Sequence, residues 1–350
     1  MPHPETWLRV TPAGLWCEPG GFFIDPTRPV DRAVITHGHA DHARPDHDAV
    51  LATPETLAIM RARLGEGRAG RRQQPIRPGE VVGQDGVRVW LRPAGHVLGS
   101  AQVCLEWRGS RAVVSGDYKR TADPTCAPFE AERGGCDVFV TEATFGLPVF
   151  RHPKPEDEIA KLLASVALFP ERTHVVCCYA LGKCQRLIAL LRRAGWGAPI
   201  WLHGALLPLC RTYEALGIAL GDLRPATVAE KAALRGAIVL APPSAVAERW
   251  ARRLAEPVVC VASGWMRVRQ RAKARGVELP LVISDHADWD ELNATIDEVA
   301  APEVWVTHGR DDALVHAMGQ RGIRGRALHL VGRGEEDEGP EPEAAGEAAA

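Results

Sequence analysis

The chain has 350 residues, 46% of them hydrophobic and 25% charged, with a formal net charge of −2. This is the composition of an ordinary soluble globular protein, long enough to bury one large core and a second inserted one. No apolar run approaches the ~18–20 residues of a membrane span, so a helical membrane protein is excluded. The start, MPHPETWLRV, lacks the basic-then-apolar layout of a secretion signal. The nine cysteines are an odd number, scattered without CxxC pairs, and read as small core residues of a reducing compartment. A cytoplasmic location with no membrane partner is expected.

In chain order, a short β-branched run repeatedly ends in a chemically active residue. Residues 21–24 (GFFI) end at Asp25, and residues 32–36 (RAVIT) run straight into His37-Gly38-His39-Ala40-Asp41-His42. Residues 88–93 lead through Ala94-Gly95 to His96, and residues 111–115 lead through Gly116 to Asp117. Residues 137–141 end at Glu142, residues 281–285 at His286, and residues 303–307 at His308. Strands that deliver polar residues at one end form the edge of a sheet system where loops build a site. In extended chain, residues two apart face the same side, so His37 and His39 can close on one metal. The turn that follows can send Asp41 and His42 to another. Imidazole nitrogen and carboxylate oxygen are the usual zinc donors.

Between residue 155 and about residue 256 the pattern changes. Strand-like runs at 173–179, 198–202 and 237–240 precede helical patterns at 182–193, 206–216 and 244–254. Such alternation argues a parallel α/β unit, and the ligand-like residues on both sides of it argue an insertion. The expected division is 1–150 and 259–330 for the metal-binding fold, 151–258 for the insertion, and a disordered acidic tail at 331–350. That tail holds seven acids and one Arg, which leaves +4 on residues 1–330. Arginines cluster at 61, 63, 68, 71, 72 and 77, and basic residues again at 267, 269, 271, 273 and 275. Both clusters suit a polyanion, the alternative being a solvated arginine-rich surface.

The HGHADH run, AGHVLGSA at 94–101 and SGDY at 115–118 resemble the metallo-β-lactamase superfamily. TEATFG at 141–146, SDHADW at 284–289 and VTHGR at 306–310 resemble its β-CASP nuclease branch. ASGWM at 262–266 and VISDHADWDEL at 282–292 are similar to bacterial DNA-ligase-associated exonucleases. The resemblance implies an αββα sandwich carrying an inserted β-CASP domain, and two divalent ions, zinc with manganese as the alternative. His37, His39 and His96 would hold the first ion, and Asp41, His42 and His308 the second, with Asp117 bridging. Asp25 would orient a ligand histidine. His286 would be the general acid, oriented by Glu142, which also raises its pKa. Asp41 and Asp117 count with these two as catalytic groups. The implied activity is a DNA exonuclease, associated with a DNA ligase and a helicase. RNA processing is the alternative, because DNA-acting relatives usually carry an apolar residue where this chain has His308.

Two further places could hold a substrate phosphate. Gly182 and Lys183 open a helix after a strand, and Ser263-Gly264 close the run VVCVASG. The first is not a Walker A loop, since Cys177 and Cys184 stand where that loop needs Gly and Ser or Thr.

Overall fold

The computed structural model describes residues 1–132, 134–247, 249–254, 256–274 and 276–330; the expected acidic tail and Arg275 lie outside the described residues. The chain divides into two units, one of residues 1–149 and 286–330 and one of residues 150–285.

In the first unit β1 (Leu8–Thr11), β2 (Gly14–Cys17), β3 (Phe22–Ile24), β4 (Arg32–Val34) and β5 (Ala49–Ala52) are followed by α1 (Pro54–Leu64) and β6 (Arg72–Pro75). These six strands form one sheet in chain order, parallel from β3 onward. The chain then enters a second sheet through β7 (Val81–Gln84), β8 (Val87–Pro93), β9 (Ala101–Trp107), β10 (Ser110–Val114) and β11 (Val138–Ala143).

In the second unit α2 (Pro155–Leu168), β12 (His174–Cys177), α3 (Lys183–Arg193), β13 (Ile200–Leu202), α4 (Leu207–Ala215), β14 (Leu223–Pro225), β15 (Ile238–Ala241), β16 (Val258–Ala262), α5 (Arg269–Ala274) and β17 (Leu279–Leu281) follow. Its sheet is wholly parallel, in the order β14-β13-β15-β12-β16-β17. The insertion therefore runs to residue 285 rather than 258, because β16 pairs with β12 and β17 with β16, adding the last two strands of that sheet. The stretch 244–254 is not the expected helix but two 3₁₀ turns, Pro243–Ala247 and Arg249–Arg253. Ala245 and Leu254 pack there with Val175 and Val239 of the sheet, and this tertiary contact overrides the helical pattern.

The chain returns to the first unit with α6 (Trp289–Val299), β18 (Glu303–Gly309), α7 (Asp311–Gln320) and β19 (Arg324–Ala327). The second sheet then reads β19-β18-β11-β10-β9-β8-β7. Alternation along its strands explains the layering. Val87, Val89, Val103, Leu105, Val138, Val140 and Trp305 point inward, onto Leu15, Phe22, Ile24, Val34 and Leu51 of the first sheet. Their sequence neighbours Trp90, Cys104, Phe139, Val304 and Val306 point outward and are covered by Leu292 and Ile296 of α6 and Leu314 and Met318 of α7. On the other side Leu57 and Met60 of α1 cover Ala33 and Val50. The result is the expected αββα sandwich. All nine cysteines are free thiols and eight are buried.

Candidate metal centre

β3, β4, β8, β10, β11 and β18 all deliver their C-terminal ends to one rim of the first unit. That rim collects every expected ligand. His37 Nε2 and His96 Nε2 each lie 3.0 Å from His39 Nδ1. Asp117 Oδ2 is 3.5 Å from His37 Nε2 and 3.9 Å from His96 Nε2. Four donors around a tetrahedral zinc at ~2.0–2.1 Å stand about 3.3 Å from one another, so this set fits such an ion. The same Asp117 oxygen is 3.2 Å from His42 Nε2, which is 3.3 Å from Asp41 Oδ2. His37, His39, His96 and Asp117 thus form one convergent group and Asp41, His42 and Asp117 another, joined through one carboxylate. The His308 ring stacks on His42 at 5.4 Å.

The charge states suit cation binding. Burial, reinforced by His42 and other neighbouring histidines, pushes His37 well below the usual imidazole range and keeps its ring neutral. Burial works against the Asp117 carboxylate, but His42, His37 and His286 outweigh it and hold the group well below its usual range. Asp41 is held low in the same way, with His42 overcoming burial.

Hydrogen bonds fix the donors. Asp25 Oδ1 accepts from Thr36 N at 2.7 Å, while Oδ2 accepts from Thr36 Oγ1 at 2.6 Å and from His42 Nδ1 at 2.8 Å. The His42 ring is thereby turned with Nε2 toward Asp41 and Asp117. Ser100 Oγ accepts from His96 N at 3.1 Å. Gly95, just before His96, has φ +73°, and a Cβ there would stand 2.3 Å from the Lys119 carbonyl, so the turn that presents His96 requires glycine.

Glu142 does two things. Its Oε2 accepts from His286 Nδ1 at 3.0 Å, and its Oε1 accepts from Tyr118 N at 2.7 Å, next to Asp117. Tyr118 O in turn accepts from Ala287 N at 2.6 Å. One carboxylate therefore ties the His286 ring and the Asp117 backbone together, 4.6 Å from the His96 ring measured at His286. Burial pushes Glu142 up against the pull of His286. Sequence reasoning missed Thr36, Thr144, whose Oγ1 lies 3.4 Å from His286 Nδ1, and the Tyr118 amide.

The two sequence-derived phosphate places are filled from within the second unit. Lys183 Nζ pairs with Asp285 Oδ1 at 2.5 Å, and Gly182 N donates to Gln185 Oε1 at 2.8 Å. Ser263 Oγ accepts from Trp265 N at 3.2 Å, capping a 3₁₀ turn that starts at Gly264. Each of the two places thus has contacts within its own unit.

Residues 25–173 match the model of the metallo-beta-lactamase superfamily. A probable DNA ligase of Opitutus terrae is 29% identical over 326 residues, covering 90% of this chain and 30% of its own length. Endoribonuclease ysh1 of Aspergillus fumigatus is 34% identical over 107 residues, 30% of this chain and 12% of its own. An RNase J-like protein of Methanocaldococcus jannaschii is 22% identical over 213 residues, 53% of this chain and half of its own. The chain thus spans less than a third of the first two relatives. Among solved structures, a protein of unknown function from Enterococcus faecalis V583 shares the fold with a TM-score of 0.55 at 12% identity, over 87% of this chain and 80% of that one. Residues 25–173 are thus similar to the metallo-β-lactamase superfamily, in keeping with the αββα sandwich that carries the donor rim.

Proposed function

We propose that this chain is a metal-dependent phosphodiesterase that trims DNA ends. The observation that carries the reading is one rim with six converging N and O donors, a fifth histidine, His308, stacked on His42, and a carboxylate–histidine pair beside them. His37, His39, His96 and Asp117 would hold one divalent ion, and Asp41, His42, His308 and Asp117 a second; the N/O set favours zinc, with manganese possible. Such an ion pair, when bound, supplies an activated water and neutralises phosphoryl charge. The chain's own groups do the rest. His286, its Nδ1–H held by Glu142, presents Nε2 to protonate the leaving sugar oxygen. Asp25 keeps the His42 ring in register, and the Glu142–Tyr118 bond keeps Asp117 beside the acid.

The alignment with the probable DNA ligase across 90% of this chain supports DNA as substrate and work alongside a ligase, with a helicase a further expected partner. A cytoplasmic location goes with that reading. RNA is the second reading, favoured by His308 and by the endoribonuclease relatives. The site is tested by substitution. His37→Ala and Asp117→Ala are expected to abolish cleavage and lower bound metal, whereas His286→Ala lowers turnover by about 10²–10⁴-fold with metal retained. Full activity in either ligand variant would sink the mechanism.

A further inference from the structure

The motif continues past its last histidine to Arg44. His42 N and Ala43 N both donate to the His39 carbonyl, at 3.3 and 2.8 Å, so the chain turns tightly, and Ala43 is anchored in the core beside α1. Arg44 follows two residues beyond the fully buried His42, at most about 7 Å of chain away. Asp41, three residues earlier, keeps 29% of its side chain exposed, so solvent reaches the rim on this side.

The Arg44 side chain is half-buried and its Nε is sealed from solvent, with no hydrogen bond and no acidic partner among the described residues. By contrast, three arginines of the 61–77 cluster have acidic partners: Arg68 has Asp46, Arg72 has Asp48 and Arg61 has Glu66. A guanidinium cannot shed its proton when it is drawn out of water, so Arg44 carries a charge that the chain itself leaves uncompensated. Arg63 places a second guanidinium on the same loop, donating to the Gly38 carbonyl at 2.6 Å, between His37 and His39.

We infer that Arg44 anchors a backbone phosphate of the substrate strand close to the scissile one. Two residues of chain hold Arg44 on the loop that carries Asp41 and His42, so a phosphate it grips belongs to the strand at this rim. The planar fork of arginine grips two phosphoryl oxygens at once and reads no base, so the contact serves DNA and RNA equally. This inference rests on the phosphodiesterase reading and names part of its substrate path.

The test is equilibrium binding of fluorescent single-stranded DNA and RNA to the zinc-loaded His286→Ala protein, between about 50 and 200 mM salt. Arg44→Ala is predicted to flatten the plot of log affinity against log salt by about 0.7, the contribution of one phosphate contact on a single strand, for both nucleic acids. Arg108→Ala is the control. It removes the same charge from the β9–β10 turn, at the opposite end of β10 from Asp117, and is predicted to leave the slope unchanged. Arg44→Gln is read alongside, with the same predicted loss, should the alanine protein fail to hold its zinc. An unchanged slope in the Arg44 variants, or an equal loss in Arg108→Ala, overturns the inference alone. Failure of the parent to bind either strand overturns it together with the phosphodiesterase reading.

Discussion

Asp25 and His308 adopt positive φ, 44° and 60°, although neither is glycine. Such backbones cost on the order of 1–3 kcal/mol and persist where the surroundings over-determine them. For Asp25 the surroundings are its three hydrogen bonds to Thr36 and His42. For His308 they are a bulge: Glu142 faces Thr307 and Ala143 faces Gly309, leaving His308 as the extra residue. Asp25→Ala is therefore predicted to weaken metal binding by about 10–100-fold, read by chelator competition, with the fold intact. Gly309 has φ +76°, and a Cβ there would meet the Ala143 carbonyl at 2.2 Å. Gly309→Ala is predicted to lower the melting temperature and, by shifting His308, the bound metal; an unchanged metal content would count against the bulge as its support. The candidate donors were legible because metal binding demands particular donor types at particular spacings. Thr36, Thr144 and the bulge were not, since an ordinary threonine or an extra strand residue gains its role only from the register of the folded sheets.

At the scale of elements, α6 is bound to the Asp117 loop by one carboxylate. Glu291 Oε2 accepts from Lys119 Nζ at 2.6 Å and from Asp288 N at 3.1 Å, and Oε1 accepts from Thr121 N and Oγ1, each at 2.7 Å. Burial opposes ionisation of Glu291, but Lys119 and these donors hold it below its ordinary 4.5. A lowered carboxylate contributes stability that is complete above its unfolded value and is lost as pH falls through its folded one. The stability gap between the parent and Glu291→Gln is thus predicted to be full at pH 7 and to close progressively below about pH 4.5, read by urea unfolding at each pH. A gap that widens on acidification would refute the assignment. Phe139 is fully buried between β11 and the α6–α7 layer, and Phe139→Ala should cost about 3–5 kcal/mol in the same assay. Strands with apolar alternation, such as β8 and β11, were readable from the sequence. β6 (RQQP), β14 (LRP) and β19 (RGRA) were not, because at three or four residues each their pairing is set by neighbouring strands.

At the scale of the whole molecule, the sandwich and the inserted parallel unit were both expected, yet the return boundary lay 27 residues later than read, between 285 and 286 instead of 258 and 259. The run VVCVA, which becomes β16, carries the same apolar signature as a sandwich strand, and only its pairing with β12 assigns it to the insertion. His37, His39, Asp41, His42, His96 and Asp117 all belong to the first unit, whereas in the second Lys183 pairs with Asp285 and Gly182 N donates to Gln185. The most direct measurement is digestion of matched single-stranded DNA and RNA, each labelled separately at either end, by metal-loaded protein with His37→Ala as the blank. Stepwise loss of nucleotides from one DNA end, absent from the blank, is expected, with RNA left intact. Preferential cleavage of RNA would contradict the DNA reading and make His308 the better guide, and hydrolysis of neither strand would contradict the phosphodiesterase itself.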